Sequence, residues 1–207
     1  EVKQFRADIP IIVSVYGFSP EEFAKVARVA QKAGADALEL NVSCPHVEKT
    51  GSEIGQNLSL MAEVVEKVKA VVKKPVILKL TPNVADITEA AKAGVEAGAD
   101  AITAINTVRA MKIDVETTTP ILANKIGGLS GPAIKPLAVR CVYEIYEAVN
   151  VPIIGCGGVT TWRDAVEFML AGASAVQIGT AITSEGLSVF KSVARGIASY
   201  LRGKGLR

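Results

Sequence analysis

The sequence predicts an α/β protein built as a (β/α)8 TIM-type barrel, with about six of the eight strand–helix units present in its 207 residues. Two strand-entry signals alternate along it. The first is a Pro followed by branched apolar residues, at Pro10-Ile11-Ile12, Pro75-Val76-Ile77 and Pro152-Ile153-Ile154. The second is a Gly flanked by Ala, at Gly34, Gly98 and Gly172, each followed at once by an apolar run. The prolines stand 65 and 77 residues apart and the glycines 64 and 74, so the repeat is two strand–helix units long. A third observation is that polar and glycine-rich segments fall just after the apolar runs. A parallel barrel keeps its active site there, and a doubly wound sheet its ligand crevice. The regular Pro/Gly alternation favours the barrel.

Six strands are expected, at about 9–15, 37–42, 76–80, 101–105, 153–156 and 175–178. Their near-continuous apolar character is that of parallel strands buried on both faces. Between them lie amphipathic helices. Ser19-Pro20-Glu21-Glu22 supplies a capping Ser, a Pro at the first helical position and a Glu at the third, ahead of the stripe Phe23, Val26, Ala27, Ala30. Leu58, Met61, Val65, Val68 and Val72 repeat that stripe, Thr161-Trp162-Arg163-Asp164 opens a later helix, and a last helix runs from about Gly186 to Tyr200. The segment 108–130 is too long for an ordinary loop and reads as an inserted lid or hairpin. The whole of 1–207 is expected to be one barrel domain lacking its first two units. Edge exposure follows from that count, at Ile11 and Val13 on the first strand and at Val189, Val193 and Ile197 on the last helix.

Composition excludes several classes. With 23 Lys+Arg against 21 Asp+Glu the formal charge is +2, and no basic stripe is interleaved with aromatics, so nucleic acid is not an expected partner. No apolar run reaches the ~18 residues of a membrane span and the start is unlike a signal peptide, so a cytoplasmic location is expected. The chain does not begin with Met, which suggests removal of an upstream segment. Three cysteines without a C-x-x-C pair and a single histidine argue against a disulfide framework and a metal site.

The candidate chemistry lies at the strand ends. Gly157-Gly158 and Gly179-Thr180, on consecutive strands, are suited to holding a phosphate through backbone N–H groups, although each pair also serves as a plain tight turn. Cys44 leaves its strand in Asn41-Val42-Ser43-Cys44-Pro45-His46, where a thiol of ordinary value ~8.5 becomes a base or nucleophile once its surroundings tune it. Asn41, Asn106 and Thr107 offer neutral donors and acceptors for a planar polar ligand. Lys79, on an apolar strand, needs an anionic partner, which is a ligand or the neighbouring Glu39. Cys141 and Cys156 read as core, and His46 as a loop hydrogen-bonding residue.

Taken together, these segments resemble the flavin-dependent dihydroorotate dehydrogenases over essentially the whole chain. The resemblance is carried by Asn41 to Pro45, Lys79-Leu80-Thr81-Pro82-Asn83, Ile105-Asn106-Thr107, Gly127 to Pro132 and Ile178-Gly179-Thr180-Ala181. Cys at position 44 is similar to the soluble class, and the run Leu122-Ala123-Asn124 to Pro132 to its NAD-linked two-subunit subclass. The resemblance implies dihydroorotate oxidation to orotate, with Cys44 as catalytic base and hydride passing to FMN. It implies substrate contacts from Asn41, Asn106 and Thr107. FMN contacts would come from Asn41, Lys79, Ile105, Gly131, Gly157, Gly158, Gly179 and Thr180, the last four around its phosphate. Expected partners are a second copy in a homodimer and a subunit carrying FAD and an iron–sulfur cluster. Ser14 and His46 depart from the usual Asn residues of that family. His46 with Cys44-Pro45 is also similar to dihydropyrimidine dehydrogenases, which would make uracil or thymine the substrate. A further alternative is an inactive cofactor-binding barrel fragment, since the family's upstream segment supplies two strands, a Lys and an Asn-containing loop.

Overall fold

The computed structural model describes residues 8–42 and 51–205. Six parallel strands form one sheet, β1 (Ile12–Val15), β2 (Ala37–Asn41), β3 (Val76–Leu80), β4 (Ala101–Ala104), β9 (Ile153–Cys156) and β10 (Ala175–Gln177), ordered β1-β2-β3-β4-β9-β10. These are the six expected strands, each within a few residues of its expected bounds. Helices α1 (Pro20–Lys32), α2 (Gly51–Gln56), α3 (Leu58–Lys69), α4 (Ile87–Glu96), α5 (Lys135–Ala148), α6 (Trp162–Leu170), α7 (Ala181–Glu185) and α8 (Ser188–Gly203) fill the connections. The repeated glycines Gly34, Gly98 and Gly172 follow the helices α1, α4 and α6 with φ of 97°, 102° and 107°, values that favour glycine and turn the chain into the next strand.

One face of the sheet meets the helices. Leu38, Leu40, Leu78, Leu80, Ile102 and Ile153 are buried there with Phe23, Met61, Val65, Ile145 and Phe168 in a single core. Local signals start these helices as expected. The Ser19 side chain accepts from the Glu22 N–H, and Thr161 and Asp164 form a reciprocal capping box.

The opposite face is concave, and its curvature follows from two side-chain contacts. Gln177 on β10 bonds Lys79 on β3 and Glu39 on β2. In a flat sheet four strand spacings of ~4.8 Å would put β2 and β10 about 19 Å apart, beyond the joint reach of a Gln and a Glu side chain. The sheet is therefore curled into part of a barrel. In register, Ile12, Ser14, Glu39, Lys79, Thr103 and Gln177 fall on the concave face.

Segment 108–129 carries two short antiparallel pairs, β5 (Val108–Ala110) with β8 (Gly127–Leu129) and β6 (Ile113–Asp114) with β7 (Thr119–Pro120). The expectations at the sheet edges need correction. Val13 turns towards the helices and is half-buried, and it is Ile12, on the concave face, that is exposed. Val189 and Val193 are buried and Ile197 half-buried, not exposed. Helix α8 lays its apolar stripe on α6, where Trp162 sits so close over Gly196 that an added Cβ would overlap the indole.

Candidate active site

At the C-terminal ends of the parallel strands lies a cavity of about 240 Å³. Lys79, Ile105, Asn106, Thr107, Gly131, Gly157, Gly158, Gly179 and Thr180 line it, so residues spread over a hundred positions are brought together. Asn41, at the end of β2, joins them through its side-chain oxygen, which accepts from Asn106 Nδ2 at 2.9 Å. Cys44 and His46 lie outside the described residues, three and five positions beyond the end of β2.

Two loops form one wall. Gly157 and Gly158 follow β9, and Gly179 and Thr180 follow β10. Among the described residues the backbone N–H groups of Gly158, Gly179 and Thr180 have no protein acceptor. Donors that line a cavity without an internal partner suit an anion. At Gly179 an added Cβ would meet no atom within 4 Å, whereas at Gly158, with φ of 77°, it would stand 2.8 Å from the Gly131 carbonyl oxygen. The first glycine leaves room for a ligand and the second permits close packing of the loop. Thr180 Oγ1 donates to Ser130 Oγ at 2.8 Å, which ties this wall to the end of β8.

Asp164 braces the wall from behind. It accepts from Thr160 and Thr161, through backbone and hydroxyl groups, and from Lys135 Nζ at 2.7 Å. Burial opposes its ionisation, but the hydrogen bonds from Lys135 and Thr161 outweigh it and hold the carboxyl far below the usual carboxylate range. A lowered folded-state value contributes stability that is present above the ordinary value of 3.8 and is lost as pH falls towards the folded value. Asp164→Asn is thus expected to cost about 1–2 kcal/mol at neutral pH, the range of a lost cap. For a domain of this size that lowers the melting midpoint by roughly 2–8 °C. The variant should also show a smaller loss of stability between pH 5 and 3 than the parent, about 1 kcal/mol less over that range. Parallel acid limbs in the two thermal melts would contradict this assignment.

The cavity lining also carries charge. Lys79 Nζ donates to Gln177 Oε1 at 3.0 Å and lies 3.6 Å from Glu39 Oε1. Both open partners of Lys79 therefore have support, since Glu39 is beside it and the cavity is in front of it. Cys156 corrects the expectation of a core residue. It is only half-buried and lines the cavity beside Lys79, because β9 alternates its faces and turns Cys156 to the concave side. Burial pushes its thiol up, with Lys79 opposing and Glu39 adding. Cys141 is buried in the core, as expected.

Several lining residues carry no signal of their own in the sequence, among them Ser130, Ile134, Thr160 and Gln177. Asn83 is a second kind of omission. Its side chain donates to Thr81 Oγ1 at 2.8 Å and to the Thr107 carbonyl at 3.2 Å, and accepts from the Arg109 N–H at 2.9 Å. It pins the turn that presents Asn106 and Thr107. Its place in the run Lys79 to Asn83 was the available clue.

A family model described as dihydroorotate dehydrogenase matches residues 1–201. The chain belongs to the dihydroorotate dehydrogenase family. Among its relatives is the protein named dihydroorotate dehydrogenase B (NAD(+)), catalytic subunit, of Pyrococcus abyssi, 54% identical over 99% of this chain and 68% of that protein. Proteins of the same name from Pyrococcus horikoshii and Methanosarcina acetivorans are 54% and 52% identical over 97% and 95% of this chain and 66% and 63% of theirs. The chain thus spans about two thirds of the length of these members of the dihydroorotate dehydrogenase family. Among the described residues no helix is long and apolar enough to cross a membrane, and no group of His, Cys, Asp and Glu is arranged to hold a metal ion.

Proposed function

We propose that the whole protein to which this chain belongs oxidises dihydroorotate to orotate in pyrimidine biosynthesis, using FMN held in the cavity at the strand ends. The observation that carries this reading is that one cavity holds both the N–H donors of Gly158, Gly179 and Thr180, unpartnered among the described residues, and the Lys79 ammonium. An elongated ligand with a phosphate at one end and a ring able to take up negative charge at the other fits that pairing.

In this reading Gly157, Gly158, Gly179 and Thr180 hold the phosphate, and Ile105 and Gly131 pack along the ring system. Lys79 stands at the edge of the ring where charge accumulates. FMN, when bound, accepts the hydride from the substrate. Cys44 takes the proton from the carbon next to the one that loses hydride, which leaves the ring double bond of orotate. Asn41 and Asn106 already bond each other, and Asn106 Oδ1 accepts from the Thr107 N–H, which fixes the amide orientations with which these residues meet a planar pyrimidine. The segment 108–130 forms a lid beside this site, and two further strand–helix units close the (β/α)8 barrel.

The relatives' names, with the resemblance of the sequence, support proposals about partners and location. A catalytic subunit implies a companion, and NAD as the acceptor fits one carrying FAD and an iron–sulfur cluster, with the barrel subunit itself forming a homodimer. A cytoplasmic location suits such an assembly.

The test is direct. Purified whole protein should be yellow, release FMN on denaturation and bleach on anaerobic addition of dihydroorotate. Colourless protein that takes up no added FMN would refute the cofactor assignment, and faster bleaching by dihydrouracil than by dihydroorotate would transfer the protein to dihydropyrimidine chemistry.

A further inference from the structure

On the concave face four side chains from four strands form one network. Glu39 is 4% exposed and Thr103 fully buried, and the Thr103 hydroxyl donates to Glu39 Oε2 at 2.9 Å. Gln177 Nε2 donates to the same carboxylate at 2.5 Å, and Gln177 Oε1 accepts from Lys79 at 3.0 Å. The amide of Gln177 has one orientation that serves both neighbours, since only its nitrogen can donate to a carboxylate and only its oxygen can accept from an ammonium. Gln177 is thus a clamp between anion and cation.

This arrangement bears on what Lys79 can do for a ligand. A lysine alone at the wall would offer a full positive charge on a flexible stem. Here its ammonium is held in place and a buried carboxylate lies 3.6 Å away, so the field it presents to the cavity is partly offset. Burying Glu39 is costly unless it is paired, so the network is held together from both ends.

Resting on the reading of a flavin beside Lys79, we propose that Glu39 and Gln177 are positioning residues that fix the Lys79 ammonium and moderate its charge. They thereby set how strongly the pocket favours the reduced, negatively charged cofactor over the oxidised one. Glu39→Gln keeps the shape of the carboxylate and removes its charge. Gln177→Leu keeps similar bulk and releases the ammonium from its acceptor.

Both variants are to be made in the whole protein and compared with the parent in two measurements. Potentiometric titration of the bound flavin should show Glu39→Gln favouring the reduced form by about tenfold, an upward shift of ~30 mV for a two-electron couple. Reductive methylation of Lys79, followed by mass spectrometry of the peptide, needs no flavin and should proceed severalfold faster in flavin-stripped Gln177→Leu than in the stripped parent. An unmoved potential in flavin-bound Glu39→Gln overturns the charge assignment. Unchanged labelling of Lys79 in Gln177→Leu overturns the clamp. A parent that binds no flavin overturns the reading of the pocket and the tuning with it, and the labelling comparison then reports on the clamp by itself. A melting profile for each variant confirms that both are compared as folded proteins.

Discussion

Replacing Cys44 by serine in the whole protein is expected to slow dihydroorotate oxidation by about 10²-fold or more at neutral pH, with flavin still bound, since a positioned general base commonly contributes 10²–10⁴-fold. A thiol of ordinary value ~8.5 lies within reach of neutral pH once its surroundings favour the thiolate, and an alcohol does not. The residual rate of the serine variant should therefore keep climbing with pH where the parent levels off. Flavin should stay because the groups assigned to it lie elsewhere, in the loops after β9 and β10 and at Lys79. Anaerobic single-turnover bleaching at a series of pH values reads the chemical step apart from electron transfer to any companion subunit. A variant as fast as its parent across that series removes Cys44 from the proton step.

Which parts of this protein the sequence revealed depends on how locally each part is encoded. The strands and their order were readable because Pro and Gly mark their entries at regular intervals, and because Ser19 and Thr161 with Asp164 cap helices through bonds made within four residues. The loops at Gly157-Gly158 and Gly179-Thr180 were readable as turns at strand ends for the same reason, since each follows an apolar run directly. Gln177 was not. It reads as one polar residue ending a short strand, and its meaning comes from contacts with partners 98 and 138 positions away that exist only once the sheet curls. Cys156 was misread because a run such as Pro152-Ile153-Ile154-Gly155-Cys156 does not reveal which alternate face is core and which is cavity. Helix α8 was misjudged because counting strands for closure says nothing about the neighbour that precedes it. Trp162 already covers that stripe from α6.

Two glycines of the same wall are expected to fail in opposite ways when replaced by alanine. At Gly158 the backbone has φ of 77°, and an added Cβ would stand 2.8 Å from the Gly131 carbonyl oxygen, 2.9 Å from Lys135 Cβ and 3.1 Å from Pro132 Cα. Two of those atoms are backbone, at the end of the inserted segment, so relief means moving the wall itself. Backbone strain of this kind costs about 1–3 kcal/mol, and the clash adds to it. Gly158→Ala should therefore lower the melting midpoint of flavin-free whole protein by roughly 4–10 °C and weaken FMN as a consequence. At Gly179 the added Cβ meets nothing within 4 Å, so the flavin-free variant should melt within about 1 °C of its parent. Its methyl group would occupy the space beside the N–H groups of Gly179 and Thr180, and FMN affinity should fall by about tenfold or more, as when a ligand is held off its hydrogen bonds. At the same FMN concentration the stabilisation that FMN gives the parent should shrink in Gly179→Ala by about 1.4 kcal/mol for a tenfold loss of affinity, read as a smaller upward shift of the midpoint. Equal losses of flavin-free stability in the two variants would show that Gly179 serves only the turn. Undiminished FMN binding in Gly179→Ala would place the phosphate somewhere other than between these two loops.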